Sequence, residues 1–357
     1  MAHDPQQLDE LRDRIKKIDH EILERLNSRA RLSLEVRGLL ESEPITLDAT
    51  EQAWLSELEA SSSRELPQPS LRAIFRRIRA EARALEQPAR VAYVGPEGGF
   101  AHQMARRTFG EGALCIECVT AAEALDEVVR SRAAFAVFPF ESSVDGLVQS
   151  SVTALAQTEL VLVAERAMAA SFDIMSRTGN LGDIEKIYAT ATARSACQRF
   201  LQRELAGASV LDVRSPVMAA RLAHDDHGGG ALVPESCGRA AELQTVRANV
   251  GDVSDVRFRY GIASGRPAMR SGHDTTCILF AVDDSPGSLF EILRHFAERG
   301  INLKKLQSRP LHSQTWEYVF YVEVTGHVTD RPVVTALEAV KRSTKYLKVL
   351  GSFPIET

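Results

Sequence analysis

No apolar run in the chain approaches the roughly 20 residues that a membrane-crossing helix needs, so no membrane partner is expected. The opening Met1–Gln7 is polar and a charged helical pattern follows it, unlike the basic, apolar and small-residue order of a secretory leader. The expected compartment is therefore the cytoplasm. A strong charge of either sign is also lacking: 43 Lys and Arg oppose 48 Asp and Glu, a net −5 that argues against nucleic acid as a partner. Cysteine is scarce, with five residues of which Cys197, Cys237 and Cys277 lie far apart, as suits reduced thiols. Cys115 and Cys118 form a C-x-x-C, but Leu114–Val119 reads as a strand and no second Cys/His pair lies nearby, so neither zinc nor redox chemistry is expected there. The run His224-Asp225-Asp226-His227, ended by three glycines, reads as a surface turn rather than a metal site. No cofactor and no metal are expected.

What remains is the composition of an ordinary soluble protein, 44% hydrophobic and 25% charged, over 357 residues that have room for two or three domains. From Leu8 to Leu40 apolar residues recur every three or four positions (Leu8, Leu11, Ile15, Ile18, Ile22, Leu26), which predicts one long amphipathic helix. Such a helix is longer than a small domain buries by itself, so a partner chain is expected over its stripe and a homodimer, or a higher homo-oligomer, is the simplest assembly. Further helical patterns at Ala49–Ala60 and Leu71–Leu85 complete an all-α region over 1–88. From Arg90 onward strand-like runs (Val91–Val94, Phe135–Phe138, Leu160–Ala164, Lys186–Ala189, Ser209–Val213, Ala231–Val233) alternate with helical ones, the pattern of a mostly parallel sheet in a two-lobed α/β domain over 89–265. The stretch 274–357 restarts as βαββαβ, the α+β ferredoxin-like order.

Candidate sites follow from chemistry-bearing residues at element ends. Val91–Val94 runs into Gly95-Pro96-Glu97-Gly98-Gly99, a strand feeding a loop at the sheet edge where open α/β folds bind ligands. Glu141-Ser142-Ser143 ends the apolar run Phe135–Phe140, and without an assignable His-Asp partner its serines suit polar ligand contacts better than covalent catalysis. Pro286 and Gly287 at a helix start, together with Gln307-Ser308-Arg309-Pro310 ending the next strand, suit an amino-acid carboxylate. Two arginines turned into a helical interior, from among Arg12, Arg29 and Arg31, would make a dicarboxylate site.

The order of these regions resembles the bifunctional chorismate mutase–prephenate dehydratases of phenylalanine biosynthesis, with a periplasmic-binding-protein-like middle domain and a closing ACT regulatory domain. The phrases that carry the resemblance are Leu11-Arg12…Ile18-Asp19…Ile22-Leu23…Arg29, Val91-Ala92-Tyr93-Val94-Gly95-Pro96-Glu97-Gly98, Pro139-Phe140-Glu141-Ser142-Ser143, Arg257-Phe258, and, in the last domain, Gly300-Ile301-Asn302-Leu303, Ser308-Arg309-Pro310 and Trp316-Glu317-Tyr318. It implies the small molecules chorismate, prephenate and L-phenylalanine as partners, with no cofactor. In the mutase arm Arg12, which would reach across a dimer, Arg29, Glu51 and Glu86 stand at the family's binding positions. In the dehydratase cleft Glu141, Ser142, Ser143, Val256, Arg257 and Phe258 do so, and Gly287, Ser288, Leu289, Gln307, Ser308 and Arg309 stand at the phenylalanine site.

The chain departs from the family at polar positions. Leu40 falls at or near the mutase lysine, Thr50 replaces an arginine, Leu47 an aspartate and Ala82 a serine. Electrostatic preorganisation carries such a rearrangement and one lost donor costs about 3 kcal/mol, so little mutase activity is expected. Val256 replaces the threonine whose hydroxyl assists departure of the substrate's ring hydroxyl; valine keeps the shape and cannot donate. Ser142 replaces an asparagine, Asp145 a glutamate, Gln307 a glutamate, and Gly99 and Ala101 hydroxyl residues. Three readings stay open at this stage: a bifunctional enzyme, a non-catalytic phenylalanine sensor, and an altered prephenate enzyme such as a decarboxylase.

Overall fold

The computed structural model describes residues 5–39, 50–62, 65–143, 146–252, 256–283, 285–310 and 318–355. They fall into two compact units, one of Met1–Ile45, Ser62–Ala89 and Arg106–Leu114, the other of Thr46–Ser61, Arg90–Ala105 and Cys115–Thr357. Three helices open the chain, α1 (Pro5–Leu39), α2 (Thr50–Ser61) and α3 (Gln68–Glu86). In the smaller unit α1 packs on α3, which starts where proline suits the first turn and buries Leu71, Ala80, Ala82 and Ala84. Those small side chains let the Gly110 backbone come so close that a Cβ there would meet the Ala80 carbonyl oxygen at 2.6 Å. The apolar stripe of α1 stays open: Ile15, Ile18 and Ile22 are 59%, 55% and 52% exposed.

The larger unit holds two lobes and a C-terminal part, whose described strands form two sheets. The first lobe is built from β1 (Arg90–Val94), α4 (Phe100–Phe109), β2 (Leu114–Cys118), α5 (Ala121–Val129), β3 (Phe135–Ser142), β4 (Gly146–Leu147), α6 (Gln149–Ala156) and β5 (Val161–Ala170). The second holds β6 (Asp173–Ser176), β7 (Lys186–Ala189), α7 (Ala191–Ala196), α8 (Gln198–Glu204), β8 (Ser209–Asp212), α9 (Pro216–Asp225), β9 (Gly229–Val233), α10 (Glu235–Ala240) and β10 (Gln244–Arg247). The chain then returns to the first lobe as β11 (Val256–Ser264), antiparallel to both β3 and β5. Parallel pairing holds for β1 with β3 and for β7 with β8 and β9, while β6 is antiparallel to β9 and β10. The sheets are thus mixed rather than mostly parallel, because the chain crosses between the lobes twice. Between β7 and β8 the helical stretch is broken at Cys197 into α7 and α8.

The C-terminal part is β12 (Asp274–Ala281), α11 (Ser288–Ala297), β13 (Leu303–Pro310), β14 (Tyr318–Thr325), α12 (Arg331–Arg342) and β15 (Tyr346–Pro354), the expected βαββαβ. Both helices press on the sheet through Ile292, Phe296, Val333 and Val340 against Ile278, Phe280, Val322 and Val324. Its edge strand β15 pairs in parallel with β5 at Gly351 and Leu162, so this sheet runs on into that of the first lobe. Among the described residues no helix is long and apolar enough to cross a membrane.

Candidate functional site

The loop after β1 is pinned by its own backbone. Gly95 N–H donates to the Cys118 carbonyl at 2.8 Å, and Gly98 N–H donates to His102 Nδ1 at 3.0 Å. His102 therefore carries its proton on Nε2 as a neutral imidazole; it is buried, with its ring 4.9 Å from that of Tyr93. Burial first, and then the charge of Glu117, pushes the Tyr93 phenol up to about 12. Phe100 stacks on Phe258 with centroids 5.6 Å apart and meets Phe172 edge-on at 6.5 Å. From the second lobe, α9 brings Val217 so near Gly98 that a Cβ on the glycine would lie 2.7 Å from a valine methyl. The loop after β1 and the start of α9 are thus in direct contact.

Pairing between β3 and β11 sorts the neighbouring residues by face. Ser142 lies opposite Phe258 and Glu141 opposite Arg259. Because side chains alternate along a strand, Ser142, Val256 and Phe258 share the buried face that meets Phe100, while Glu141, Arg257 and Arg259 share the other. Ser143 joins the two strands twice, its N–H donating to the Arg257 carbonyl at 2.9 Å and its Oγ accepting from Arg257 N–H at 3.0 Å. Of the residues expected around prephenate, Ser142, Val256 and Phe258 come together on one face, while Glu141, Arg257 and Ser143 line a cavity on the other. Asp145 lies outside the described residues.

On that opposite face, Arg259 donates to Glu141 (2.6 Å), to Glu323 (3.0 Å) and to Glu165, and Lys305 from β13 pairs with the second oxygen of Glu141. Three carboxylates thus meet two cations in direct contact, and a buried charge without a partner is costly. Burial is the largest influence on Glu165 and pushes its carboxyl up to about 7; Arg259 pulls the other way, while Glu323 and Glu141 add to the rise. Among the described residues its Oε1 is buried without a hydrogen-bond partner. Burial likewise works against the Arg259 charge, yet the combined attraction of Glu165 and Glu323 outweighs it and raises its pKa. The two shifts point opposite ways for one pair. The Glu165 direction is the one that decides, since a single guanidinium shared among three carboxylates cannot neutralise them all. Glu165, Glu323 and Cys277 bring donor atoms within 4.8 Å of one another. Arg259 already serves both carboxylates as their cation, and burial holds the Cys277 thiol well above its ordinary pKa, so the set does not suit a metal.

In the helical unit Arg29 is half-buried, and burial followed by repulsion from Arg79 lowers its pKa while Glu86 opposes the drop. Ser33 donates to Glu86 Oε1 at 2.8 Å. Arg29, Arg79, Ser33 and Glu86 therefore form one polar cluster between α1 and α3. Arg12 is exposed and pairs with Asp9 at 3.5 Å. Glu51 lies on α2, and its side chain, like Leu40 and Leu47, lies outside the described residues. In the last domain Gly287 adopts a left-handed φ of 88° directly before α11, as glycine does at no steric cost; Ser288 Oγ lies 2.6 Å from Ser285 Oγ and Leu289 packs on the core. Gln307 turns its amide toward Gly146, Ser308 is exposed, and the Arg309 side chain lies outside the described residues.

Family models match in the same order: "Chorismate mutase type II" over 11–87, "Prephenate dehydratase" over 91–267 and "ACT domain" over 276–342. The bifunctional chorismate mutase/prephenate dehydratase of Aquifex aeolicus (strain VF5) is 32% identical over 356 residues, covering 98% of each chain. The chain belongs to the bifunctional chorismate mutase/prephenate dehydratase family. The Neisseria gonorrhoeae relative is 30% identical at the same coverage. Among solved structures, prephenate dehydratase from Arthrobacter aurescens in complex with L-Phe aligns with a TM-score of 0.64 and 30% identity, over 74% of this chain and 90% of that one.

Within this bifunctional family the departures seen in the sequence acquire positions. Val256 is 2% exposed, so its methyl groups are buried. Thr190 and Ser215 each cap a helix by accepting from Ala193 N–H and Met218 N–H, at 3.2 and 3.1 Å. Sequence reasoning missed His102, Arg79, Ser33 and Arg259. A buried histidine four residues after a loop glycine was the one readable signal; the others gain meaning only once distant strands or helices meet.

Proposed function

We propose that this protein converts chorismate to prephenate and prephenate to phenylpyruvate under phenylalanine control, in the cytoplasm, with dehydration the stronger activity. Dehydration expels carbon dioxide and the ring hydroxyl together, and the departing oxygen needs a proton to leave as water. Val256 cannot give one. Ser142 is the hydroxyl we assign to that oxygen, and the observation that carries the assignment is its position on the same face of the β3–β11 pair as Val256 and Phe258. Phe100 and Phe258 supply apolar walls for the ring that becomes aromatic, and the turn through Ser143 holds the two strand ends together.

For the rearrangement of chorismate we propose Arg29, Arg79 and Glu86 as binding groups, with Arg12 completing the site in a dimer that covers the α1 stripe. The polar losses at Leu40 and Thr50 make this activity weak. Phenylalanine is assigned to Gly287, Ser288, Leu289, Gln307, Ser308 and Arg309; the left-handed turn at Gly287 and the L-Phe complex of the A. aurescens relative support this. The test is phenylpyruvate formation from prephenate by the full chain. We expect measurable turnover that falls on adding phenylalanine, and a Ser142→Ala variant about 100-fold slower, the usual worth of a positioned proton donor. Undiminished turnover in Ser142→Ala would remove the serine from this role.

A further inference from the structure

Lys305, on strand β13 of the ACT domain, reaches the dehydratase sheet at Glu141. Glu141 has each carboxylate oxygen taken by a different cation, Oε1 by Lys305 and Oε2 by Arg259, at side-chain exposures of 17% for the lysine and 15% for the glutamate. A carboxylate so engaged, on the face turned away from Ser142, is not available to a substrate in the cleft. It is a strut. Glu141 ends β3 beside the residues that pair with β4, Glu141 with Leu147 and Ser142 with Gly146. The same strand β13 also brings Gln307 to Gly146, its amide nitrogen 3.6 Å from where a Cβ would stand. One strand of the ACT domain therefore touches both arms of the hairpin that carries Ser142 and Ser143.

Resting on the reading above, we infer that Lys305 is a positioning residue for the dehydratase site: its bond to Glu141 fixes the pairing of β3 with β4 at Glu141–Leu147 and Ser142–Gly146 and, through Ser143, the start of β11 at Val256–Phe258. The ACT domain is on this account a structural part of the dehydratase site as well as its regulator. Removing the lysine frees the hairpin rather than leaving a dry hole, because a cavity lined by Ser143, Arg257 and Lys304 runs beside the pair and admits water.

The test compares Lys305→Met and Lys305→Arg in the full-length protein by amide hydrogen exchange and by prephenate kinetics. In Lys305→Met we expect faster exchange over 141–147 and 256–258, unchanged exchange in the ACT core strand 276–280, and a KM for prephenate raised about tenfold with a smaller fall in kcat, as for a misplaced binding group. Lys305→Arg restores both. Exchange over 141–147 unchanged in Lys305→Met would overturn the inference, and so would faster exchange spread equally over 276–280, which would make Lys305 a general stabiliser. If the wild-type chain turns over no prephenate, the proposed function fails while the exchange measurement still decides the role of Lys305.

Discussion

A buried valine where a hydroxyl is wanted has two separable consequences. Val256 fills its site without a polar atom, so Val256→Thr adds a hydroxyl to an apolar wall and risks one to three kcal/mol if that hydroxyl finds no partner. It also restores a donor at the position from which family members assist loss of the ring hydroxyl. We expect Val256→Thr to melt lower than wild type and to form phenylpyruvate at least tenfold faster; melting by circular dichroism and the absorbance assay read the two separately. Glu165 makes the opposite bargain, a titratable group kept where its charge is unwelcome. Its carboxyl is pushed from the ordinary 4.5 to about 7. Below 4.5 it is protonated folded or unfolded and costs nothing. Between about pH 4.5 and 7 the unfolded chain releases the proton while the folded one keeps it, so stability falls as pH rises and levels off above 7, by on the order of 3 kcal/mol. Glu165→Gln keeps an acceptor for Arg259 and removes the titration. Thermal melts should show the variant gaining on wild type from pH 5 to pH 8, and a pH-independent gap between the two would remove the assigned titration.

At the scale of elements, helix α1 shows how far a pattern carries. Its three-to-four-residue apolar period predicts the helix from sequence, and the structure gives Pro5–Leu39 with that stripe uncovered. Ile18→Glu places a charge in its middle, at a residue 55% exposed in the single chain. The variant should keep its helix content and sediment as a 39.2 kDa monomer where wild type sediments as a dimer. If both sediment alike, the stripe is not the dimer contact. Strand β11 shows where patterns stop. Its residues alternate Val256, Phe258, Tyr260 inward with Arg257 and Arg259 on the other face, and arginines at every second position read as a solvent-facing side. Arg259 instead meets Glu141, Glu165 and Glu323, which come from three strands distant in sequence. Local periodicity carries information about burial against the bulk core and none about burial against an ion cluster. The family phrases located the Ser142 and Val256 positions without this strand, but did not reveal that Glu141 and Arg257 point away from them.

At the scale of the molecule's larger unit, the C-terminal strands join those of the first lobe at one ladder position among the described residues. Gly351 of β15 pairs with Leu162 of β5, and any Cβ on the glycine would collide with the Leu162 carbonyl oxygen and amide nitrogen. Backbone atoms cannot swing aside as a flexible side chain does, so glycine is required there and alanine must separate the strands. Beside that contact, Lys348 donates to the carbonyls of Ala156 and Thr158, a second tie between β15 and the first lobe. Gly351 lies far from every residue assigned to prephenate, so its replacement acts on linkage alone. Calorimetry of wild type should show the dehydratase and ACT parts melting in one transition that phenylalanine raises as a whole. In Gly351→Ala that transition should split, phenylalanine raising the ACT component while the dehydratase component stays where it was, and inhibition of phenylpyruvate formation by phenylalanine should weaken. An unsplit transition with full inhibition would mean that the side-chain contacts of β13 and β14 link the sheets without this backbone pair.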